Sequence, residues 1–348
     1  RTGRKWSVCQ AVIQAESSLQ HKDIVGNTNI GKEGLGTRKH RRWTTASTSE
    51  RRSLVQGEIR QAEEMERSAK AVQLGPQGNW TRWNVPERKL TWSELWSYEP
   101  FQLSFLMRSV YDLLPSPTNL HLWKMSEDSS CPLCDKAGSM RHILSSCHTA
   151  LSQGRYRWRH DRVLGEMAHA LEKERRKERP QKKSGSHFIN FLREGEKKTT
   201  KTSGTGILDE ATNWEMRVDL KHQLQFPEEI VHTTLRPDIV IWSTLSKKVV
   251  LVELTVPWEE RAEEAYELKM SKYQELVEEC KNRGWNTWLF PVEVGCRGFP
   301  AQSAWRMFGA LGVRGRARKA AIHDMATAAE RASSWLWKLR NKLEWKPT

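Results

Sequence analysis

The sequence predicts a protein of mixed α and β structure, of the α+β or α/β class. A helical N-terminal part precedes a mixed sheet flanked by helices. The sheet is predicted by two runs of β-branched and aliphatic residues, 238–242 and 249–256, which the polar stretch 243–248 separates like a hairpin turn. The helical part is predicted by apolar residues that follow the capping box Thr91–Glu94 and the helix-starting Pro100.

The composition favours a polyanionic partner. The chain has 348 residues and a formal net charge of +15, so nucleic acid is the default partner. No stretch is long and apolar enough to suggest a membrane span, and no signal peptide opens the chain. The sequence begins with Arg1 rather than Met, which we interpret as a sign of a longer reading frame.

Residues 1–75 are predicted to be a loop-rich and exposed helical segment. Scattered glycines predict loops over residues 1–48. The basic run Arg38–Arg42 could contact phosphate, direct nuclear import, or be a solvated charge cluster. Alternating charges with spaced apolar residues predict an exposed helix from Thr48 to Val72.

Residues 76–171 are predicted to form a helical linker that carries a metal-binding motif. Aromatic and aliphatic residues between positions 80 and 114 predict a small helical core. The spacing C-x2-C-x7-H-x4-C can close a tetrahedral Zn²⁺ site, formed by Cys131, Cys134, His142 and Cys147. Four protein ligands fill the coordination sphere, so such a zinc would be structural. The alternative is a loop with free thiols.

A basic helix is predicted directly after this motif, from Arg155 to Leu171. Arginine donors can clamp phosphate oxygens bidentately, or the helix can lay a basic face on the DNA backbone. The candidate side chains are Arg155, Arg157, Arg159 and His160. Residues 172–206 are rich in charge and interrupted by the apolar island Phe188–Leu192, and they are predicted to be a linker that marks the domain boundary.

Two carboxylates are predicted to converge on the hairpin. A turn centred between Leu245 and Ser246 places Asp238 opposite Glu253. Facing residues of an antiparallel pair point to the same side, with Cβ atoms about 5 Å apart. Because two close carboxylates repel each other, this arrangement costs stability unless a cation joins them.

A helix with a lysine on its core-facing stripe is predicted after the hairpin, from Pro257 to Gly284. At about 100° per residue, Lys269 lies at the centre of the apolar stripe and Lys272 at its edge, about 60° away. Two acids that hold Mg²⁺ or Mn²⁺ and a lysine that orients or activates water are typical of metal-dependent phosphodiester hydrolysis. The alternative is a hairpin with surface acids.

Further segments complete the predicted sheet and its helices. An entry strand is predicted within residues 207–226 and a last strand at 287–294, so that the core of the fold spans 207–300. A third carboxylate could come from Asp209, Glu210 or Asp219. Residues 301–348 are predicted to form basic C-terminal helices, whose patch contacts phosphate or is solvated surface: Arg314, Arg316, Arg318 and Lys319.

Several of these motifs resemble the restriction-like endonuclease of non-LTR retrotransposons, a PD-(D/E)xK nuclease. They are Arg236-Pro237-Asp238, the run from Glu253 to Trp258, Lys269 with Tyr273, and the run from Val292 to Phe299. Most nucleases of that fold keep a lysine two residues after the second acid, where this chain has Thr255. The retrotransposon branch places the lysine on the following helix and a tyrosine one turn later, which Lys269 and Tyr273 match.

The resemblance covers about residues 50–310 and implies a restriction-endonuclease-like fold and a metal-dependent endonuclease that nicks DNA during target-primed reverse transcription. It implies structural Zn²⁺, catalytic Mg²⁺ or Mn²⁺, and a nuclear location, with target DNA, element RNA and the rest of a retrotransposon polyprotein as partners. No Tyr-x-Asp-Asp box occurs, so no polymerase activity is expected.

The resemblance also implies roles for individual residues. The catalytic set is Asp238, Glu253, Lys269, Tyr273 and Arg159, with Asp238 and Glu253 as ligands of magnesium. The expected nucleic-acid contacts are Arg155, Arg157, His160, Arg236, Arg297, Arg314 and Arg316. Two other interpretations stay open, namely a nucleic-acid-binding remnant that does not cleave and a junction-resolving nuclease of the same fold.

Overall fold

The computed structural model describes residues 2–28, 43–177, 206–211 and 213–346. Its α-helices are α1 (Thr2–Thr28), α2 (Thr48–Gln73), α3 (Trp92–Ser97), α4 (Pro100–Val110), α5 (Pro117–Leu122), α6 (His148–Ser152), α7 (Arg155–Arg175), α8 (Ala262–Asn282), α9 (Gln302–Leu311) and α10 (Gly315–Lys338). Its strands are β1 (Glu215–Val218), β2 (Ile239–Ser243), β3 (Lys248–Thr255) and β4 (Asn286–Glu293).

These elements fall into two compact units, Arg1–Thr81 and Arg82–Thr348. In the first unit, α1 packs on α2 around a small core of Ala15, Trp43 and Val55. The prediction of loops over residues 1–48 is therefore wrong for α1. Apolar residues three or four positions apart give α1 a face that α2 covers. Most of the glycines that predicted loops follow this apolar face in the sequence.

The helices predicted from charge alternation over Thr48–Val72 and from the capping box at Thr91 are confirmed. α2 begins with a capping box between Ser47 and Glu50, and α3 begins with the predicted one between Thr91 and Glu94. Both boxes satisfy backbone donors that a helix N-terminus otherwise leaves unpaired. Among the described helices, none combines the length and the apolar composition needed to cross a membrane.

The second unit contains a four-stranded sheet with the order β1-β2-β3-β4. The first three strands are antiparallel, whereas β4 runs parallel to β3 after the crossover helix α8. The predicted mixed sheet with flanking helices is confirmed at this level, and it is compatible with the α+β class. β4 lies at one edge of the sheet and contains Pro291.

The two faces of the sheet are covered by different helices. On one face, strand residues such as Val240 and Leu251 pack with Tyr273 and Leu276 of α8. The other face belongs to a larger core shared with α7, α9 and α10. Because side chains alternate along a strand, residues of equal parity within β2 or β3 point toward the same helix layer.

The hydrophobic core does not divide at residues 172–206, the predicted domain boundary. Leu144 and Val163 lie before this stretch, Ile241 and Val292 lie after it, and all four belong to one continuous core. The predicted separation of a 76–171 linker, a 207–300 core and 301–348 C-terminal helices is therefore wrong, because charge composition does not show where helices dock. Residues 178–205, with the island Phe188–Leu192, and the basic run Arg38–Arg42 lie outside the described residues.

Candidate functional site

The hairpin brings the two predicted carboxylates together. Ile239 pairs with Val252, so one step further Asp238 faces Glu253, as the sequence predicts. Both residues are buried, at 4% and 3% exposure, and the Asp238 amide donates a hydrogen bond to Glu253 Oε2 at 3.2 Å. The site therefore holds two acids at the junction of β2 and β3, on the face that α8 covers.

Two lysines of α8 reach the same carboxylate oxygen. Lys269 Nζ lies 2.5 Å from Glu253 Oε1, in agreement with its predicted central place on the helix. Lys272 Nζ lies 3.7 Å from that oxygen and 2.9 Å from the hydroxyl of Tyr273. Lys272, predicted at the edge of the apolar stripe, also reaches the site, because a long lysine side chain can bend back over the 60° or so that separates the two positions.

A histidine that the sequence analysis assigned to nucleic acid is turned toward the acids instead. His160 Nε2 lies 3.2 Å from Asp238 Oδ2, and its Nδ1 lies 3.1 Å from Asp161. Burial opposes the charged ring, but hydrogen bonds to Asp161 and Asp238 outweigh it and raise the pKa of His160 to about 9. Burial alone would raise the pKa of Asp238, yet the hydrogen bond from His160 and the charges of His160 and Lys269 hold it below its usual value.

Tyr273 is fully buried and fixes the backbone in front of Asp238. Its hydroxyl donates a hydrogen bond to the carbonyl oxygen of Arg236 at 2.8 Å. Burial and the nearby charge of Glu253 raise its pKa far above the usual range, so the phenol stays neutral. Tyr273 contacts Lys272, and its place in the structure is that of a positioning residue.

One of the three possible third carboxylates lies beside the pair. Asp219 continues the β1–β2 register, in which Val218 pairs with Ile239, and its amide donates to the Asp238 carbonyl at 2.8 Å. Asp209 instead accepts from the Gly206 amide. Glu210 forms an ion pair with Lys248 at the surface.

Glu293 lies beside the site but was not predicted from the sequence. It is 1% exposed and pairs with Thr255 across β3 and β4, on the face that carries Glu253. The available signal was an acid between two valines at the end of an apolar strand.

Three of the arginines assigned to DNA or catalysis are interior residues, which corrects those assignments. Arg155 donates to the carbonyl oxygens of Leu339 and Lys342. Arg159 donates to Leu144 O at 2.7 Å and Val256 O at 3.2 Å, so it ties α7 to the sheet. Arg297 forms a buried ion pair with Glu259 at 2.6 Å. Each is 2% exposed, so none can reach a phosphate without unfolding.

The remaining basic candidates have exposed or half-buried side chains. Arg236 is exposed beside the site, and Arg157 is partly buried against Asp161 and Asp219. Arg314 and Arg316 are exposed at the start of α10. Their contact with nucleic acid stays a prediction.

A second cluster, formed by Cys131, Cys134, His142 and Cys147, brings four metal-binding atoms within 4.8 Å of one another. The sulfurs of Cys131 and Cys147 are 4.0 Å apart, close to the separation of about 3.8 Å that tetrahedral zinc with Zn–S bonds near 2.3 Å requires. These thiols and the imidazole suit zinc and could bind it. The cluster contacts α7 through Tyr156 of that helix. The Tyr156 hydroxyl accepts a hydrogen bond from the Cys147 amide and donates one to the Ile143 carbonyl.

Cys134→Ser should lower zinc content below one ion per chain and loosen residues 131–147. Because Tyr156 and Arg159 connect this loop to α7, and α7 lies in the shared core, the melting temperature of the second unit should fall as well. Elemental analysis and hydrogen exchange measure the two effects. Cys9→Ser, at an exposed cysteine of the first unit, is the matched control. Wild-type protein with almost no zinc would refute the assignment.

Comparison of the chain with models of known families finds no match, and no curated protein matches it significantly in sequence.

Proposed function

We propose that this protein is a metal-dependent endonuclease that nicks DNA, related to the restriction-like endonuclease of non-LTR retrotransposons. The observation that carries the proposal is the convergence of Asp238 and Glu253 in the interior, with Lys269 2.5 Å from Glu253. Target-primed reverse transcription is the process in which such a nick would act. The partners in this proposal are target DNA, element RNA and the rest of a retrotransposon polyprotein, and its location is the nucleus.

The donor set at this site suits magnesium. Asp238 and Glu253 offer hard carboxylate oxygens, which Mg²⁺ and Mn²⁺ prefer. The two acids also attract positively charged side chains, since Lys269, Lys272 and His160 all lie within ion-pair distance of one of them. Bound there, Mg²⁺ would act as a Lewis acid on the scissile phosphate and acidify the attacking water.

The side chains around the acids have distinct tasks in this proposal. Lys269 holds a positive charge beside Glu253, where it can orient water and stabilise charge that develops on the phosphate. His160 keeps Asp238 ionised through the hydrogen bond to Oδ2. Tyr273 fixes the Arg236 carbonyl, and with it the position of the next but one residue, Asp238.

The charge of the chain supports DNA as the substrate. A net charge of +15 favours polyanions over the whole surface. Arg236 beside the site and Arg314 and Arg316 at the start of α10 expose their side chains to solvent. We expect these arginine side chains to contact phosphates of the DNA backbone.

A second candidate function is nucleic-acid binding without cleavage. It is favoured by the same ion network, because Lys269, Lys272 and His160 already compensate the two buried acids. A site that is neutralised internally has no need of a metal ion for its stability. The two candidates therefore differ in chemistry and not in affinity for DNA.

A nicking assay on supercoiled plasmid separates the two candidates. The endonuclease should convert supercoiled DNA to open circles with Mg²⁺ or Mn²⁺, and EDTA should stop the reaction. Plasmid that is shifted in a gel but never nicked, with either ion, would favour the binding protein and contradict our proposal.

Lys269→Ala should lower the nicking rate about 10²-fold or more, which is the scale of losing a positioned acid, base or charge-stabilising group. Lys272→Ala should lower it less, because Lys272 is farther from Glu253, at 3.7 Å. Single-turnover nicking rates measure both effects. Lys281→Ala, at an exposed position of the same helix, is the control. Equal losses from the Lys269 and Lys272 variants would contradict the assignment.

A further inference from the structure

A buried carboxylate next to the candidate site has an oxygen without a partner. Glu293 Oε2 accepts a hydrogen bond from the Ser303 hydroxyl at 2.6 Å. Its other oxygen, Oε1, is buried and receives no hydrogen bond from the described residues. An unsatisfied buried acceptor destabilises a fold, and more so when it is charged. Glu293 Oε1 is therefore an acceptor to which a cationic group could donate a hydrogen bond.

The unpartnered oxygen lies on the face that carries the two acids. Thr255 and Glu293 are register partners across β3 and β4, and facing residues of neighbouring strands point to the same side. Glu253 and Thr255 are two residues apart on β3, so they share that side too. The hydroxyl of Thr255 is likewise buried and without a hydrogen bond among the described residues. Glu293 Oε1 and the Thr255 hydroxyl therefore lie on the α8 face with Glu253, and neither has a hydrogen-bond partner among the described residues.

The charge of Lys269 acts on both carboxylates. Its ammonium lies 2.5 Å from Glu253 Oε1, and its charge opposes the rise in the pKa of Glu293 that burial causes. Lys272 has a second partner in the Tyr273 hydroxyl. Among the described residues, Lys269 forms a hydrogen bond with Glu253 only.

If Glu253 Oε1 held the ammonium of Lys269 and ligated a divalent cation at the same time, the two positive charges would repel each other at that oxygen. We therefore expect Lys269 to move away from Glu253 when the site is loaded. A displaced and half-buried ammonium needs another acceptor. Glu293 Oε1 is a carboxyl acceptor on the same face, and it has no hydrogen-bond partner among the described residues.

We propose that Glu293 is the second partner of Lys269, which accepts the ammonium when Glu253 takes up the divalent cation. This inference rests on the proposed nuclease function. Glu293 is a positioning residue in this arrangement, since it touches neither metal nor substrate. It keeps the ammonium of Lys269 on the face of the sheet that carries the two acids.

Lysine acylation with and without Ca²⁺ tests this role without any cleavage. Ca²⁺ takes the same oxygen ligands as Mg²⁺. The variant is Glu293→Gln, which keeps the shape of the side chain and removes its charge. The rate at which an N-hydroxysuccinimide ester acetylates Lys269 is measured by mass spectrometry, with Lys281 as the internal reference and Glu275→Gln, an exposed acid on α8, as the matched control.

Without Ca²⁺, Lys269 should react equally slowly in all proteins, because Glu253 holds it. With saturating Ca²⁺, the rate should stay within about twofold of that value in wild type. It should rise about 10-fold in Glu293→Gln, because the displaced ammonium then has no charged hydrogen-bond acceptor to hold it. Glu293→Asp, which restores the charge on a shorter side chain, should give a rate between wild type and Glu293→Gln.

The possible results separate failure of the inference from failure of the proposed function. Equal acylation of wild type and Glu293→Gln with Ca²⁺ would overturn the role of Glu293 alone. A Ca²⁺ affinity that falls more than 10-fold in Glu293→Gln, measured by calorimetry, would make Glu293 a ligand and also overturn it. Wild-type protein that neither binds Ca²⁺ nor nicks plasmid with Mg²⁺ would overturn the nuclease proposal, and the inference with it.

Discussion

Asp238→Ala and Glu253→Ala should each abolish Mg²⁺-dependent nicking, with residual rates below the detection limit of a plasmid assay. The two side chains are the convergent carboxylates of the hairpin, joined by the hydrogen bond from the Asp238 amide to Glu253 Oε2 at 3.2 Å. Removal of either acid would leave a divalent cation with one protein ligand. A metal ligand affects the chemical step far more than the binding of the DNA backbone, so the affinity for DNA should change little.

Three measurements make this result interpretable. Nicking is followed on supercoiled plasmid, DNA affinity by gel shift at fixed salt, and folding by thermal denaturation. Glu267→Ala removes an exposed acid of α8 and is the matched control. Wild-type rates in either of the two variants would show that the cation lies elsewhere. A parallel loss of folding would be separated from loss of chemistry by the milder variants Asp238→Asn and Glu253→Gln.

Arg297→Ala should destabilise the second unit by about 3–5 kcal/mol, because removing one member of a buried ion pair leaves the other charge uncompensated. Glu259 accepts hydrogen bonds from both the amide and the guanidinium of Arg297, each at 2.6 Å. The guanidinium also lies 3.9 Å and 3.7 Å from the ring centroids of Trp83 and Trp258. Gly295 belongs to the same arrangement, since a Cβ there would lie 2.5 Å from the Glu259 carboxylate.

Chemical denaturation of Arg297→Ala measures this loss, and Arg316→Ala at the exposed start of α10 is the control. We expect the control to change the free energy of unfolding by less than about 0.5 kcal/mol, as surface substitutions do, and to weaken DNA binding at low salt. The reverse pattern, with normal stability and weak DNA binding in Arg297→Ala, would restore the original assignment of Arg297 to nucleic acid.

The sequence could predict what depends on local periodicity and on counting along the hairpin. Asp238 and Glu253 face each other because the turn is centred between Leu245 and Ser246, and a strand register follows from that centre alone. Lys269 was placed by helical spacing, which needs no tertiary information. The cluster of three cysteines and one histidine could be predicted from ligand spacing, since four residues close in sequence are easily brought together.

The sequence could not show which long side chains turn inward. Arg155, Arg159 and Arg297 look like surface cations, and they are buried by segments distant in sequence, among them α10 and the Trp83 segment. Glu293 lies on a strand whose neighbours come from distant parts of the chain. Such positions are fixed by tertiary packing, which cannot be read from composition or from charge runs.

The place of β4 at the edge of the sheet bears on self-association. An edge strand offers free backbone groups to any passing strand of another copy, which is a common route to aggregation. Pro291 lies within β4 and has no amide hydrogen to offer such a strand. The opposite edge, β1, is only four residues long. Neither edge is therefore suited to adding a strand, and this sheet is protected against growing into a larger one.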